Sequence, residues 1–154
     1  MKQPWAWAIV HGQKDVENRV RSLGPYRGPV AIHAAVRDAD LVPYGLRTAW
    51  QTWWSNEQAN GRDPGGQRGH IIGVVDLVDS HPDEVCARSV ATNDHDDCDD
   101  VYLCSRWAME DHHHLVLANP RPLPRPIPAR GMLGLWRPDD ALLAAITEQL
   151  AEVA

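Results

Sequence analysis

The sequence has few cysteines, and they are not arranged in close pairs. Three occur in 154 residues, Cys86, Cys98 and Cys104, and no two of them form a Cys-x-x-Cys motif. An odd number of cysteines without such a motif indicates neither a disulfide framework nor a four-cysteine zinc site. We therefore expect reduced thiols, and we assign no metal and no cofactor from the sequence.

Long apolar runs are also missing. No stretch approaches the roughly 18 apolar residues of a membrane span, and the opening residues MKQPW lack the apolar core of a signal peptide. We expect a soluble, cytoplasmic protein with no membrane contact, and no obligate protein partner can be identified. The 154 residues, 44% hydrophobic and 23% charged, have a globular composition and suit one domain spanning 1–154.

Positive charge is scarce on average, since the net charge is -6. This balance argues against indiscriminate nucleic-acid binding, which requires a broad basic surface. The acidity is local, however: Asp76 to Asp111 contains 11 acidic and 2 basic residues, which leaves 13 basic and 10 acidic residues elsewhere. Nearly all the cations are arginine, whose planar guanidinium suits phosphates and base edges. The composition therefore allows a small basic site.

Hydrophobic periodicity predicts three helices and five or six short strands. The helices are a short one after Pro4, one with its apolar stripe at residues 46–54, and one at Asp139 to Val153. Strands are expected at 16–21, 29–35, 70–80, 112–118 and 132–136. Prolines at every second position from 120 to 128 predict an edge strand, because proline has no N–H to donate. Elements in this order favour an α+β domain around a small sheet or barrel.

The densest group of polar residues lies at 12–19. On an extended strand Glu17 and Arg19 share one face, while Val16 lies on the other. Such a pair can hold a base edge, because Arg19 donates hydrogen bonds and Glu17 accepts them. Asn18 lies on the apolar face, where its amide requires a partner. A solvated strand with a cross-strand ion pair is the alternative interpretation.

Several motifs, taken in order, resemble the ASCH domain family of the PUA-like superfamily. They are QPWA at 3–6, GxKxxENR at 12–19, YRGP at 26–29 and IHA at 32–34, followed by GVVDLVD at 73–79 and GMLGLW at 131–136. The resemblance implies an α+β fold, a small PUA-like β-barrel of five to six strands flanked by about three helices. It also implies a cleft between the first helix and the sheet that binds RNA or a nucleoside.

Seven residues are candidates for binding in this cleft. Trp5, with Trp7, is a candidate for stacking on a base, and His33 could meet Glu17 or Arg19 on a paired strand. The full set of binding candidates is Trp5, Lys14, Glu17, Asn18, Arg19, Arg27 and His33.

The resemblance also bears on catalysis. Some relatives are amidohydrolases that deacetylate N4-acetylcytidine with a lysine, a threonine and a glutamate, and at least one relative is a ribonuclease. Lys14 matches that lysine and Arg19 the following arginine, but Glu17 stands at the threonine position. Without the hydroxyl nucleophile, the resemblance favours recognition of a nucleobase over deacetylation.

If the chain is an enzyme, Lys14, Glu17 and Asp76 are the candidate catalytic residues. Asp76 is expected on a strand face with apolar neighbours, where a carboxylate either pairs with a cation or has a raised pKa. Lys14 and Arg19 are its candidate partners. A plain position at the rim of a sheet is an equally good interpretation of Asp76.

Two clusters resemble metal sites in composition. The run NDHDDCDD at 93–100 lacks the glycine and distal glutamate of an EF-hand. Three successive histidines at 112–114 would alternate between strand faces, so only His112 and His114 could share one. We therefore predict no metal site.

Three functions are compatible with the sequence. The first is binding of RNA or a modified nucleoside in a polar cleft. The second is hydrolysis in the same cleft, as an N4-acetylcytidine amidohydrolase or a ribonuclease. The third is a protein-interaction adaptor that uses the acidic segment.

Overall fold

The computed structural model describes residues 1–61, 67–86, 89–91 and 100–153, and for 89–91 and 100–102 it describes the backbone alone. Its centre is a four-stranded antiparallel sheet made of β1 (Val16–Arg19), β2 (Gly28–Ala34), β3 (His70–Pro82) and β6 (His113–Pro128). The order of the strands in this sheet is β1-β6-β3-β2. A separate pair consists of β4 (Ser89–Ala91) and β5 (Asp100–Tyr102).

The described strands thus form an open sheet and a separate pair, and the expected barrel of five to six strands is not confirmed. The α+β class is confirmed, together with three helices, α1 (Trp5–Val10), α2 (Tyr44–Ala59) and α3 (Asp140–Ala151). A short 3-10 helix occupies Asp83–Val85. Among the described residues, no helix combines the length and the apolar character that crossing a membrane requires.

The strand β6 is longer than the sequence analysis predicts. The expected strand at 112–118 and the proline-rich segment are one element of 16 residues. Among the described strands, β1 pairs only with residues 113–116, whereas β3 follows β6 as far as Pro128. The proline-rich half therefore has one described neighbour, which agrees with the predicted edge. The prediction of a strand at 132–136 is wrong, because this segment is irregular.

Two apolar clusters hold the helices to the sheet. The larger one joins α1 to the sheet through Ile9, Val10, Ile72 and other buried residues. The second joins α3 to the sheet and includes Ile71 and Ile146. Neighbouring strand residues point to opposite faces, so Ile71 and Ile72 serve different clusters.

The close approach of α1 to β3 depends on Gly73. A Cβ atom at this position would lie 2.8 Å from Val10 Cγ1 and 3.0 Å from the Arg121 carbonyl oxygen. Real Cβ atoms do not come so close to such neighbours, so a side chain at 73 would push α1 away from the sheet. Because α1 carries Trp5 and leads into Lys14, this packing also positions the residues of the predicted cleft.

Candidate functional site

A cavity of about 790 Å³ opens beside α1, β1 and β2, and the irregular segment 131–136 forms one of its walls. Its lining is mainly apolar, with a smaller number of charged and polar side chains. Six of the seven binding residues predicted from the sequence line it, namely Trp5, Lys14, Glu17, Asn18, Arg19 and His33. The predicted binding residue Arg27 and the predicted catalytic residue Asp76 are not among its lining residues.

A tight turn after α1 brings Lys14 back against the helix. A Cβ atom at Gly12 would lie 2.9 Å from Ala8 Cα, so glycine permits this close passage of the chain. The next residue, Gln13, has a left-handed φ of 58°, and the Lys14 amide then donates to the Ala8 carbonyl at 2.9 Å. The chain therefore reverses within a few residues and delivers Lys14 to the start of β1.

The polar centre of the cavity is a carboxylate between two cations. Lys14 Nζ donates to Glu17 Oε2 at 3.1 Å and also to the Val16 carbonyl oxygen. Arg19 Nη2 lies 3.2 Å from the other carboxylate oxygen, Glu17 Oε1. The Lys14 side chain is 4% exposed and Glu17 is 15% exposed, whereas Arg19 is 41% exposed. These three residues form what we call the charged triad, and its formal charge is +1.

Burial has a clear electrostatic effect on the triad. It lowers the pKa of Lys14 from its ordinary value, and the negative charge and hydrogen bond of Glu17 partly offset that effect. The Lys14 ammonium also lies 5.8 Å from the centre of the Trp5 ring, within the range of a cation–π contact. Among the neighbouring groups, Glu17 thus contributes most to opposing the fall in the Lys14 pKa.

The amide of Asn18 has two partners, as its predicted place on an apolar face requires. Asn18 Nδ2 donates to the Trp107 carbonyl at 2.8 Å, and its Oδ1 accepts from the Met109 amide at 3.0 Å. Both partners lie about 90 residues away in sequence, so local spacing could not identify them. Asn18 therefore fastens β1 to a segment that contributes Met109 to the cavity wall.

His33 lines the cavity, but its predicted neighbours are wrong. The strand that carries it, β2, pairs with β3 rather than with β1, so His33 does not face Glu17 or Arg19 across a ladder. Its Nε2 donates to the Ala129 carbonyl at 2.9 Å. A Cβ atom at Gly131 would lie 2.5 Å from the ring, so His33 packs directly against the wall segment.

Arg27 lies outside the cavity. Its guanidinium donates to the carbonyl oxygens of Tyr26 and Ser80, at 2.8 and 3.1 Å, and it lies 3.5 Å from the Asp79 carboxylate. Arg27 is therefore close to the polar residues at 12–19 in sequence, but it does not join them in the cavity.

Asp76 also has a different partner from the one expected. Its carboxylate accepts from Arg121 at 2.5 and 3.2 Å and from Asn119 at 2.9 Å, and not from Lys14 or Arg19. The hydrogen bond from Arg121, followed by that from Asn119, lowers the pKa of Asp76 below its ordinary value. Of the alternatives considered for Asp76, pairing with a cation is the one observed, and the pairing is away from the cavity.

No residue of the wall segment 131–136 is among the site residues predicted from the sequence. Trp136 lines the cavity, and the exposed side chains of Met132 and Leu133 also contribute to the lining. Their apolar pattern predicts a strand, although the glycines at 131 and 134 are a signal for an irregular turn. Trp7, in contrast, is buried with its ring centre 5.9 Å from that of Trp53, so it is not available to stack on a ligand.

The acidic run at 93–99, including Cys98, lies outside the described residues, so the prediction that it holds no metal site is not tested.

Met1, the first of the cavity residues, and the whole charged triad lie within residues 1–120, the range that the family model of the ASCH domain matches. That family is linked to RNA binding. A comparison with curated proteins found no match. Because the family model covers most of the 154 residues, the chain belongs to the ASCH domain family.

Proposed function

We propose that the cavity binds a nucleobase, either in RNA or as a modified nucleoside. The observation that carries this proposal is the Glu17 carboxylate held between Lys14 and Arg19 in a mainly apolar cavity. A base combines a flat face with an edge of hydrogen-bond donors and acceptors. Its site therefore requires an apolar or aromatic wall for the face and polar groups for the edge. The volume of about 790 Å³ falls in the usual range for small-molecule sites.

The three members of the charged triad would have different tasks. Glu17 would accept a hydrogen bond from an amino or imino group of the base, and Arg19 would donate to a carbonyl, ring nitrogen or phosphate oxygen. Lys14 would act as a positioning residue, because two of its three donors already hold Val16 and Glu17. The aromatic walls Trp5 and Trp136 would contact the face of the base.

The experiment is calorimetric titration of the protein with a panel of nucleosides and short single-stranded RNAs. Arg19→Gln should weaken binding at least about tenfold, which corresponds to roughly 1.4 kcal/mol. Arg27→Gln is the matched control, because it removes an exposed arginine outside the cavity and should leave the affinity unchanged. Equal losses in the two variants, or no binding by any member of the panel, would contradict the proposal.

A second candidate, hydrolysis in the same cavity, is favoured by the burial of Lys14. A lysine whose pKa is lowered can exchange a proton more readily near neutral pH, and Glu17 lies within hydrogen-bond distance of it. A carboxylate is a poor nucleophile toward an amide, however, so Glu17 would more readily activate water.

Chromatography of N4-acetylcytidine and single-stranded RNA after incubation with the protein would test hydrolysis. We expect slow or no release of cytidine by the wild type. Rapid turnover that is lost in Glu17→Gln, with the fold intact by circular dichroism, would favour the hydrolase over the binding domain.

A further inference from the structure

A second cluster of ligand-type side chains lies outside the cavity, near the end of the β3–β6 ladder. His81 and His114 are directly opposite each other on these strands, with ring centres 5.5 Å apart. Cys86 directly follows the 3-10 helix, and Cys104 lies two residues after β5. One ligand atom from each of the four residues lies within 4.8 Å of the others. None of the four lines the cavity.

Both imidazoles hold their proton on the nitrogen that faces away from the cluster. His81 Nδ1 lies 2.7 Å from Asp79 Oδ2, and since an ionised carboxylate can only accept, this nitrogen is the donor. His114 Nε2 likewise donates to the Met109 carbonyl at 2.8 Å. A carboxylate or carbonyl on the outer nitrogen is the usual support of a histidine that binds a metal, because it directs the other lone pair inward.

The inward nitrogens are placed to bind a ligand. His81 Nε2 is buried and has no hydrogen-bond partner among the described residues. His114 Nδ1 lies 3.4 Å from Cys104 Sγ, and His114 itself is fully buried. An unpaired buried acceptor costs free energy, and a cation at the centre of the cluster would remove that cost.

The two sulfurs complete the set. Neither Cys86 nor Cys104 is in a disulfide within the described part of the chain, and the Cys104 amide donates to Cys86 Sγ at 2.9 Å. A bound divalent metal stabilises thiolate ligands, so the two sulfurs would bind it as thiolates beside the two imidazoles.

We propose that His81, Cys86, Cys104 and His114 bind one Zn²⁺ ion in a tetrahedral Cys₂His₂ site. Thiolate and imidazole together are the donors that zinc takes in structural sites. With Zn–S of about 2.3 Å and Zn–N of about 2.0 Å, tetrahedral ligand atoms lie roughly 3.3 to 3.8 Å apart. The observed set, within 4.8 Å, would contract by about 1.5 Å at most to reach this geometry.

The place of the site in the fold indicates a structural role. Cys86 and Cys104 lie at the two ends of the segment that contains β4 and β5, which we call the β4–β5 excursion. The two histidines belong to the central sheet. Zinc would therefore fasten the excursion to the sheet. The effect would extend to the cavity wall, because the Met109 carbonyl accepts from His114 while the Met109 amide donates to Asn18. With four protein ligands, no coordination position is left for a substrate.

Metal content tests the site directly. The protein should be purified without a polyhistidine tag or chelator, and its zinc should be measured by mass spectrometry. We expect about one zinc per chain, and loss of most of it in Cys104→Ser and in His114→Asn. The matched control is His112→Asn, which makes the same substitution as His114→Asn at a described histidine outside the cluster and should keep the metal.

Binding of Co²⁺ by the wild-type protein tests the site even if a variant does not fold. Wild-type protein stripped of metal and refilled with Co²⁺ should show a thiolate-to-cobalt charge-transfer band and the strong visible bands of tetrahedral cobalt. The proposal is overturned if folded wild type takes up neither ion, or if Cys104→Ser and His114→Asn keep full zinc. A Cys86–Cys104 disulfide in protein purified under reducing conditions would also overturn it. None of these results depends on whether the cavity binds a base.

Discussion

Replacing Glu17 by glutamine removes the negative charge between Lys14 and Arg19 while keeping nearly the same shape. The Lys14 ammonium, 4% exposed, then keeps its bond to the Val16 carbonyl, the contact with Trp5 and the weaker attraction of Asp15, but it loses its ionised hydrogen-bond partner. Hydrogen bonds to charged groups contribute about 1.5 to 3 kcal/mol, and breaking a buried ion pair costs about 3 to 5 kcal/mol. Because Glu17 is 15% exposed, we expect a loss of about 2 to 3 kcal/mol in the free energy of unfolding at neutral pH.

The loss should depend on pH in a defined direction. The pKa of Lys14 is already below its ordinary value of 10.5 in the folded protein, and removal of Glu17 lowers it further. Below the folded pKa the buried lysine is charged and the penalty is complete. As pH rises through the folded pKa toward 10.5, the folded protein releases the proton first, so the penalty decreases.

Urea denaturation of wild type and Glu17→Gln, at neutral pH and in a moderately alkaline buffer, measures both effects. The matched control is Glu148→Gln, which changes an exposed glutamate on α3 and should alter stability by less than about 0.5 kcal/mol. A Glu17→Gln loss no larger than that of the control, or one that increases with pH, would refute the assignment of Glu17 as the counter-ion of Lys14.

In urea denaturation Gly73→Ala should cost about 1 to 3 kcal/mol because its Cβ would collide with Val10, whereas Gly45→Ala, with open space around it, should be neutral or stabilising. In calorimetry Asp76→Asn should leave nucleoside affinity within about twofold, because Asp76 lies outside the cavity. Binding of single-stranded RNA should show a log-log salt slope between about -0.7 and -2, since the cavity can neutralise only a few phosphates, and a steeper slope would exclude this mode.

The sequence by itself determined the parts of the molecule that depend on local spacing. Alternation along an extended strand places Glu17 and Arg19 on one face, and the structure finds them paired at 3.2 Å in one cavity. The three helices follow from apolar periodicity, and the α+β class follows from the order of the elements. The motifs around Lys14 carried the family resemblance, which the ASCH match over residues 1–120 confirms.

Only the tertiary structure decided which distant residues meet. Asp76 pairs with Arg121, 45 residues away, because the register of β3 and β6 brings them together through irregular shifts that no local pattern encodes. The same ladder places His81 opposite His114, while the two ends of the β4–β5 excursion bring Cys86 and Cys104 beside them. Strand pairing joins residues that are far apart in sequence, and a register shift of one residue reverses the face on which each side chain lies. The cluster of cysteines and histidines therefore exists only in the folded chain.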